Sequence, residues 1–345
     1  MRKLSLTLLA IILTTLPFYA QDTLSVMIIG DVMMHESQLS KDHRQFLRFI
    51  APQLRKADIS IANMEFSLGG EPYTGYPEFS TPDSYAEYVA GDCGVDVFLT
   101  ANNHILDRRA KGLERTLEVY RRMADSVKFT GTAGSQEEME SNYPLILDKK
   151  GIRLAIVNFT YGTNSPSVKN WPNVNYMEAD SIAKAVSRAK ERESDFILVL
   201  PHWGEEYSLK HNAEQEKWAE WIVAQGVNAI IGSHPHVVQD TTHINGVPVI
   251  YSMGNAVSNM SAINTRLELA VVLKFTIDHI TGKKSMLEPE IQYMWCSLPG
   301  RLTDNYSTIF VKEWAERRDE WANPSDYDNM MDTYERVKAA TGVVD

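Results

Sequence analysis

Five short apolar runs punctuate the chain, and each stops abruptly at a polar group. Leu24-Ser25-Val26-Met27-Ile28-Ile29 ends at Gly30-Asp31, and Ile59-Ser60-Ile61-Ala62 ends at Asn63-Met64-Glu65. Val95-Asp96-Val97-Phe98-Leu99 runs into Thr100-Ala101-Asn102-Asn103-His104. Phe196 to Leu200 ends at Pro201-His202, and Ala229-Ile230-Ile231 ends at Gly232-Ser233-His234-Pro235-His236. Runs this short, bounded by turn residues, predict buried strands, with Gly232 allowing a tight turn where the last one stops. Between them, apolar residues recur at helical spacing over about 42–56 (Phe46, Leu47, Ile50, Leu54) and 108–125 (Leu113, Leu117, Tyr120, Met123). Further helices are expected at 179–193 and at 213–225, the latter carrying Trp218, Trp221 and Ile222 inward.

Leu145 to Asp148 and Ile152 to Phe159, joined by Lys149-Lys150-Gly151, read as a hairpin. Val247 to Ser252 and Leu267 to Ile277 read as antiparallel strands, and 288–296 as one more. Residues 66–82 and 162–176, rich in Gly, Pro, Tyr and Asn, are long loops. The last forty or so residues look helical and mostly polar. Strands alternating with helices predict an α/β fold of layered sheets flanked by helices, and ligands in such folds sit beyond the carboxyl ends of the strands. No internal repeat or linker interrupts residues 21–300, which read as one domain with a helical tail, 301–345, packed on it.

The first twenty residues do not belong to this pattern. Arg2 and Lys3 precede an uncharged apolar run from Leu4 to Ala20, the form of a secretory signal. Export to the periplasm or medium is therefore expected, with no membrane span once the signal is cut; an uncleaved anchor is the alternative, since Phe18 is large for its place before the cut. Cleavage removes two basic residues and no acids, which takes the formal charge from −11 to −13. An acidic exported chain argues against a nucleic-acid partner. Cys93 and Cys296 are the only cysteines, and export would permit a disulfide between them as readily as two buried thiols.

The strand-end residues carry the candidate chemistry. Asp31, Asn63, Glu65, Asn103, His202, His234 and His236 are metal-ligand candidates, and the fold would bring them to one sheet edge. Carboxylate, amide and imidazole without cysteine suit Mn, Fe or Zn. There are more donors than one tetrahedral ion needs, so one or two divalent ions are expected, a pair being bridged by a carboxylate. His104, next to Asn103, is then free to act as a general acid. The chain has no Gly-x-x-x-x-Gly-Lys-Ser/Thr loop and no Gly-x-Ser-x-Gly elbow, which removes support for nucleotide-cofactor folds and serine hydrolases. His35, His43, His211, His243 and His279 lack strand-end partners and read as loop or surface residues, His35 least securely because it follows Asp31 closely.

Taken in order, these motifs resemble the CapA capsule-synthesis (poly-γ-glutamate biosynthesis) family, whose domain is similar to a calcineurin-type metallophosphoesterase. The matching segments are Gly30-Asp31-Val32-Met33, Asn63-Met64-Glu65, Ala101-Asn102-Asn103-His104 with Asp107, His202-Trp203-Gly204 with Glu206-Tyr207, Gly232-Ser233-His234-Pro235-His236 with Gln239, and Tyr251-Ser252-Met253-Gly254-Asn255. The resemblance implies metal roles for Asp31, Asn103, His202, His234 and His236. It places His104 as the leaving-group acid, and Asn63 or Glu65 near the bridging carboxylate. From the same motifs, Glu206 is a second catalytic candidate, and Trp203, Tyr207 and Asn255 are candidate substrate contacts. Two departures stand out: Met33 occupies the place of a metal-binding histidine, and the bridging aspartate is replaced by the Asn63/Glu65 motif. The implied partner is an envelope or capsule polymer such as polyglutamate, handled either by a metal-dependent hydrolase or transferase or by a non-catalytic polymer-binding protein. A phosphoesterase is the third reading.

Overall fold

The apolar runs are continuous because both of their faces are covered. In the strand Thr23–Val32, Val26 and Ile28 enter one core while Met27 and Ile29 enter another, as the alternation of side chains along a strand requires. The computed structural model describes residues 23–345, so the expected signal segment lies outside the described residues. A nine-stranded sheet has its main path in the order Ser307–Phe310, Glu290–Ser297, Leu267–Ile277, Thr23–Val32, Ile59–Met64, Val97–Leu99, Lys128–Thr130. A six-stranded sheet runs Thr241–Ile244, Val247–Ile250, Ala229–Ile231, Phe196–His202, Ile152–Thr160, Leu145–Lys149. The sheets enclose a core in which Val26, Ile28, Ile61 and Val97 meet Leu154, Ile156 and Leu198.

Helices cover the outer faces. Arg109–Arg122 packs Val119 and Tyr120 on the first sheet, while Ala179–Glu191 and Ala213–Ala224 pack Ile182, Val186 and Ile222 on the second. This is the layered α/β architecture expected from the pattern. Within each sheet the site-bearing strands are parallel: Thr23–Val32 with Ile59–Met64 and Val97–Leu99, and Phe196–His202 with Ala229–Ile231. Parallel pairing aligns their carboxyl ends, and the five polar termini meet at one edge of the sandwich.

Several local expectations are revised. The helix expected at 42–56 is a 3-10 turn at His43–Gln45 followed by Ala51–Lys56, because Pro52 starts a new first turn. Phe46, Leu47, Ile50 and Leu54 are nonetheless fully buried. Val247–Ile250 and Leu267–Ile277 belong to different sheets; the antiparallel partner of the former is Thr241–Ile244, and those of the latter are Thr23–Val32, Lys284–Met286 and Glu290–Ser297. Trp218 and Trp221 are only half-buried at the rim of their helix.

The carboxyl-terminal residues are not all helix, and part of them enters the core. Ser307–Phe310 is an edge strand of the large sheet, and the helix Pro324–Thr341 places Met330, Tyr334 and Val337 in the inter-sheet core. Cys93 and Cys296 are buried free thiols, and burial pushes the pKa of each up to about 12. Among the described residues no helix is long and apolar enough to cross a membrane.

Two glycines allow the strand ends to close together. A Cβ on Gly30 would lie 1.9 Å from the Gly254 carbonyl oxygen, and one on Gly232 would lie 2.1 Å from the Tyr251 carbonyl and 2.4 Å from Trp203 Nε1. Gly232 thus serves close approach rather than a turn; the left-handed backbone falls on His234 (φ 100) and His236 (φ 58) instead. Gly232→Ala is expected to destabilise the protein by about 1–3 kcal/mol through overpacking. Gly91→Ala, which would meet nothing within 4 Å, should stay within about 0.5 kcal/mol. Thermal unfolding of both variants measures the difference, and equal melting temperatures would contradict the packing argument.

Candidate metal centre

Asp31 and Asn63 are register partners on adjacent parallel strands, and His202 bridges to Ser233 on the other sheet. The chain then delivers Glu65 beneath them. Its side chain is fully buried, and neither carboxylate oxygen has a hydrogen-bond partner. His202 Nε2 lies 3.7 Å and His236 Nε2 3.8 Å from Glu65 Oε1. Two sets of donors, each with its ligand atoms within 4.8 Å of one another, share this carboxylate: Glu65 with His202 and His234, and Asp31 with Glu65 and His236. A third set joins Glu206 to His234 and His236. A buried carboxylate left without a partner is costly. Oxygen and imidazole donors converging on it fit a divalent cation of the harder or borderline kind.

The protonation states agree with that fit. Burial raises Glu65 well above its usual range, and the neighbouring Asp31 charge adds to the shift. Burial would also raise Asp31, but the hydrogen bond from His236 and the charges of His202 and His236 outweigh it, and its pKa is lowered. Burial holds His202 down to about 3 and His234 well below 6.5, so both are neutral imidazoles with lone pairs to donate. In His236 the same burial effect is overcome by Asp31, and the pKa is raised.

A layer of amides sets the rings. Asn255 Oδ1 is 2.8 Å from His236 Nδ1, and Ser233 Oγ is 3.1 Å from His202 Nδ1, which turns each Nε2 toward Glu65. Asn103 Oδ1 lies 2.7 Å from His202 Nε2, so an amide oxygen faces the same point. Asn63, expected as a ligand, donates its amide to Asp31 Oδ1 at 2.7 Å and accepts from Asn102 at 3.3 Å. It braces the site, and Glu65 alone of the Asn63/Glu65 motif points an unpaired donor into it.

The expected substrate contacts divide. Tyr207 is half exposed at the site's mouth. Trp203 is 1% exposed, in the core on the outer face of the second sheet, with its indole N–H donated to the Tyr251 carbonyl. It follows His202 in the chain, so it points to the opposite face. Asn255 is fully buried and touches His236, not the cavity.

Beside the candidate metal ligands opens a cavity of about 750 Å³. His104 and His236 line it together with Glu206, Arg109, Tyr76 and Met33. His104 Nδ1 is 2.7 Å from Asp107 Oδ2, whose same oxygen accepts the Phe79 backbone N–H at 2.7 Å. That leaves His104 Nε2 as the atom presented outward. Burial raises Asp107 despite the hydrogen bond from His104. Asn164, from the loop at 162–176, lies 3.3 Å from His104 Nε2, and the Tyr161 ring packs tilted, 4.5 Å from that of His234.

Three cavity residues had no clear signal in the sequence. His35, read as a loop histidine, lines the cavity with Nδ1 3.2 Å from the Asn259 N–H; its closeness to Asp31 was the only hint. Asn164 and Ser165 arrive from a loop whose docking is purely tertiary. His43, His211 and His243 are tied to elements away from the cavity: His43 packs beside Tyr85, His211 on Tyr251 and His243 beside Glu288.

The fold is one already seen in solved structures of low sequence identity. A 5′-nucleotidase precursor from Thermus thermophilus superposes with a TM-score of 0.50 at 14% identity, over 92% of this chain and 59% of that one. Residues 25–260 match the family described as bacterial capsule synthesis protein PGA_cap, and the chain belongs to that family. The PGA biosynthesis protein CapA of Bacillus subtilis (strain 168) is 26% identical over 262 residues, 72% of this chain and 67% of that protein. The capsule biosynthesis protein CapA of Bacillus anthracis is 27% identical over 260 residues, 71% of this chain and 62% of that protein. The chain therefore spans only about two thirds of the length of these relatives.

In the metal-free protein, Glu65 and the histidines act on stability with opposite signs. The raised Glu65 pKa contributes stability below about 4.5 that is lost as pH climbs through its folded value. The lowered His202 and His234 values contribute stability above 6.5 that is lost as pH falls toward about 3 for His202. Removing the unpaired charge by Glu65→Gln should stabilise chelator-treated protein at pH 8 by about 1–3 kcal/mol. No such gain is expected at pH 4, where Glu65 is already protonated. Melting curves at the two pH values check this, and a destabilised Glu65→Gln at pH 8 would count against an unpaired carboxylate.

Proposed function

We propose that this protein is an exported, metal-dependent hydrolase or transferase of capsule synthesis, acting on an amide or ester bond of an envelope polymer, polyglutamate being one candidate. One observation carries the reading: the fully buried Glu65 carboxylate has no partner and belongs to two converging donor sets beside an open cavity. Asp31, Glu65 and His236 would hold one ion of Mn, Fe or Zn, and Glu65, Asn103, His202 and His234 a second. A divalent ion in such a setting polarises a bound oxygen and lowers the pKa of water to near neutrality.

The chain's own residues supply the rest. Asp107 occupies His104 Nδ1, so His104 delivers a proton from Nε2 to the leaving group as the bond breaks. The Asn164 amide lies 3.4 Å and 3.3 Å from the two nitrogens of that ring and steadies it. Tyr161 covers His234, and the Phe79 ring packs edge-on 4.6 Å from His104, which keeps bulk water from the imidazoles. The polymer would enter over Tyr76 and Tyr207, the exposed aromatics of the cavity rim. The apolar run at residues 4–20 supports export.

Elemental analysis of protein purified without chelators is the deciding measurement. The wild type should carry Mn, Fe or Zn near stoichiometry, and His234→Ala/His236→Ala should carry none. His104→Ala should keep its metal while turnover of a γ-glutamyl or ester-linked polymer drops by about 10²–10⁴-fold. A protein that takes up no metal on reconstitution, or that binds polymer and never turns it over, sinks the enzymatic reading in favour of an accessory one.

A further inference from the structure

We infer that Glu206 is a metal ligand, closing the Asp31–Glu65–His236 position from the solvent side where Met33 offers no oxygen or nitrogen. The inference rests on the metal-dependent reading. Asp31, Glu65 and His236 supply three donors, and an ion bound by three protein groups needs further ligands. Met33, 2% exposed and lining the cavity, presents a thioether, a soft donor poorly matched to the hard oxygens around it. Glu206 approaches His236, the one of these three donors that lines the cavity, from another element. Its carboxylate lies within 4.8 Å of ligand nitrogens of both His234 and His236, and it is the one exposed carboxylate in the three donor sets. Nearby, His234 Nδ1 is buried without a hydrogen-bond partner.

The backbone holds Glu206 at that point. It sits between Gly204 (φ 98) and Tyr207 (φ 66), and the Tyr207 N–H donates to the Pro235 carbonyl at 2.9 Å. That hydrogen bond ties the Glu206 loop to the peptide between the two histidines. His234 (φ 100) and His236 (φ 58) are themselves left-handed. Three non-glycine residues in this region, joined by one hydrogen bond, form a strained pair of loops that persists only where the surroundings determine it. A side chain required only for solubility would need none of this. A carboxylate that must meet two imidazole nitrogens does.

Mn²⁺ binding isotherms separate the possibilities. Glu206→Ala, a change at an exposed position, should weaken one Mn²⁺ by at least about tenfold, while an ion at Glu65, His202 and His234 keeps its affinity. Adding Met33→His to that variant should recover the lost affinity, because an imidazole then enters the cavity from the Asp31 strand. An isotherm for Glu206→Ala identical to that of the wild type overturns the assignment and leaves the metal-dependent reading standing. A wild type that binds no Mn²⁺ overturns both.

Discussion

A carboxylate buried without a partner is expensive, and Glu65 is in that state with both of its oxygens. Inside a protein such a group either takes a proton or meets a cation. Burial and the Asp31 charge favour the proton while no cation is bound, and the groups around Glu65 are ones a divalent cation could share. Neutral imidazoles of His202 and His234 stand beside it, His236 turns Nε2 toward it, and Asp31 shares the His236 neighbourhood. Almost every other feature of the site keeps these groups apart from water and close to one another.

The sandwich supplies the closeness. Carboxyl ends of parallel strands from two different sheets meet at one edge, which requires backbones to pass nearly in contact at Gly30 and Gly232. Behind the donors, Asn63, Asn102, Asn255 and Ser233 form a polar layer that is itself hydrogen-bonded, so the rings are held by groups that are already satisfied. Strain in the His234–His236 turn is the counterpart of this order. Conformations of that kind cost about 1–3 kcal/mol each and are kept where geometry matters more than stability.

The donors are unevenly spread over the strand ends. The unpaired carboxylate at the second strand end is that of Glu65, while Asn63 donates its amide to Asp31, and residue 33 is a methionine. Likeness of fold does not carry activity with it, since chemistry belongs to the residues grafted on the scaffold. Here the first strand offers Asp31 with no nitrogen donor at residue 33, while the loop after His202 brings the Glu206 carboxylate beside His234 and His236. The cavity next to them combines an oriented imidazole, exposed tyrosines and a single arginine already paired with Glu78. Such a cleft is shaped more by hydrogen bonding and aromatic contact than by positive charge.

Local sequence determined the elements that form from short-range chemistry. Apolar runs of strand length, each ending in Asp31, Glu65, His104, His202 or His234, marked the site because a parallel α/β layer must present strand ends together. The Leu145–Lys149 and Ile152–Thr160 hairpin was legible from its Lys149-Lys150-Gly151 turn. Tertiary structure decided the rest. Whether Val247–Ile250 and Leu267–Ile277 share a sheet depends on pairings between distant segments. The helix Pro324–Thr341 looked polar because its buried stripe of Met330, Tyr334 and Val337 is narrow. Trp203 and Asn255 sit in matching motifs, yet side-chain direction at a strand end and packing behind His236 removed them from the cavity. Residue type announces what a group can do; only the packed backbone settles which way it faces and what stands next to it.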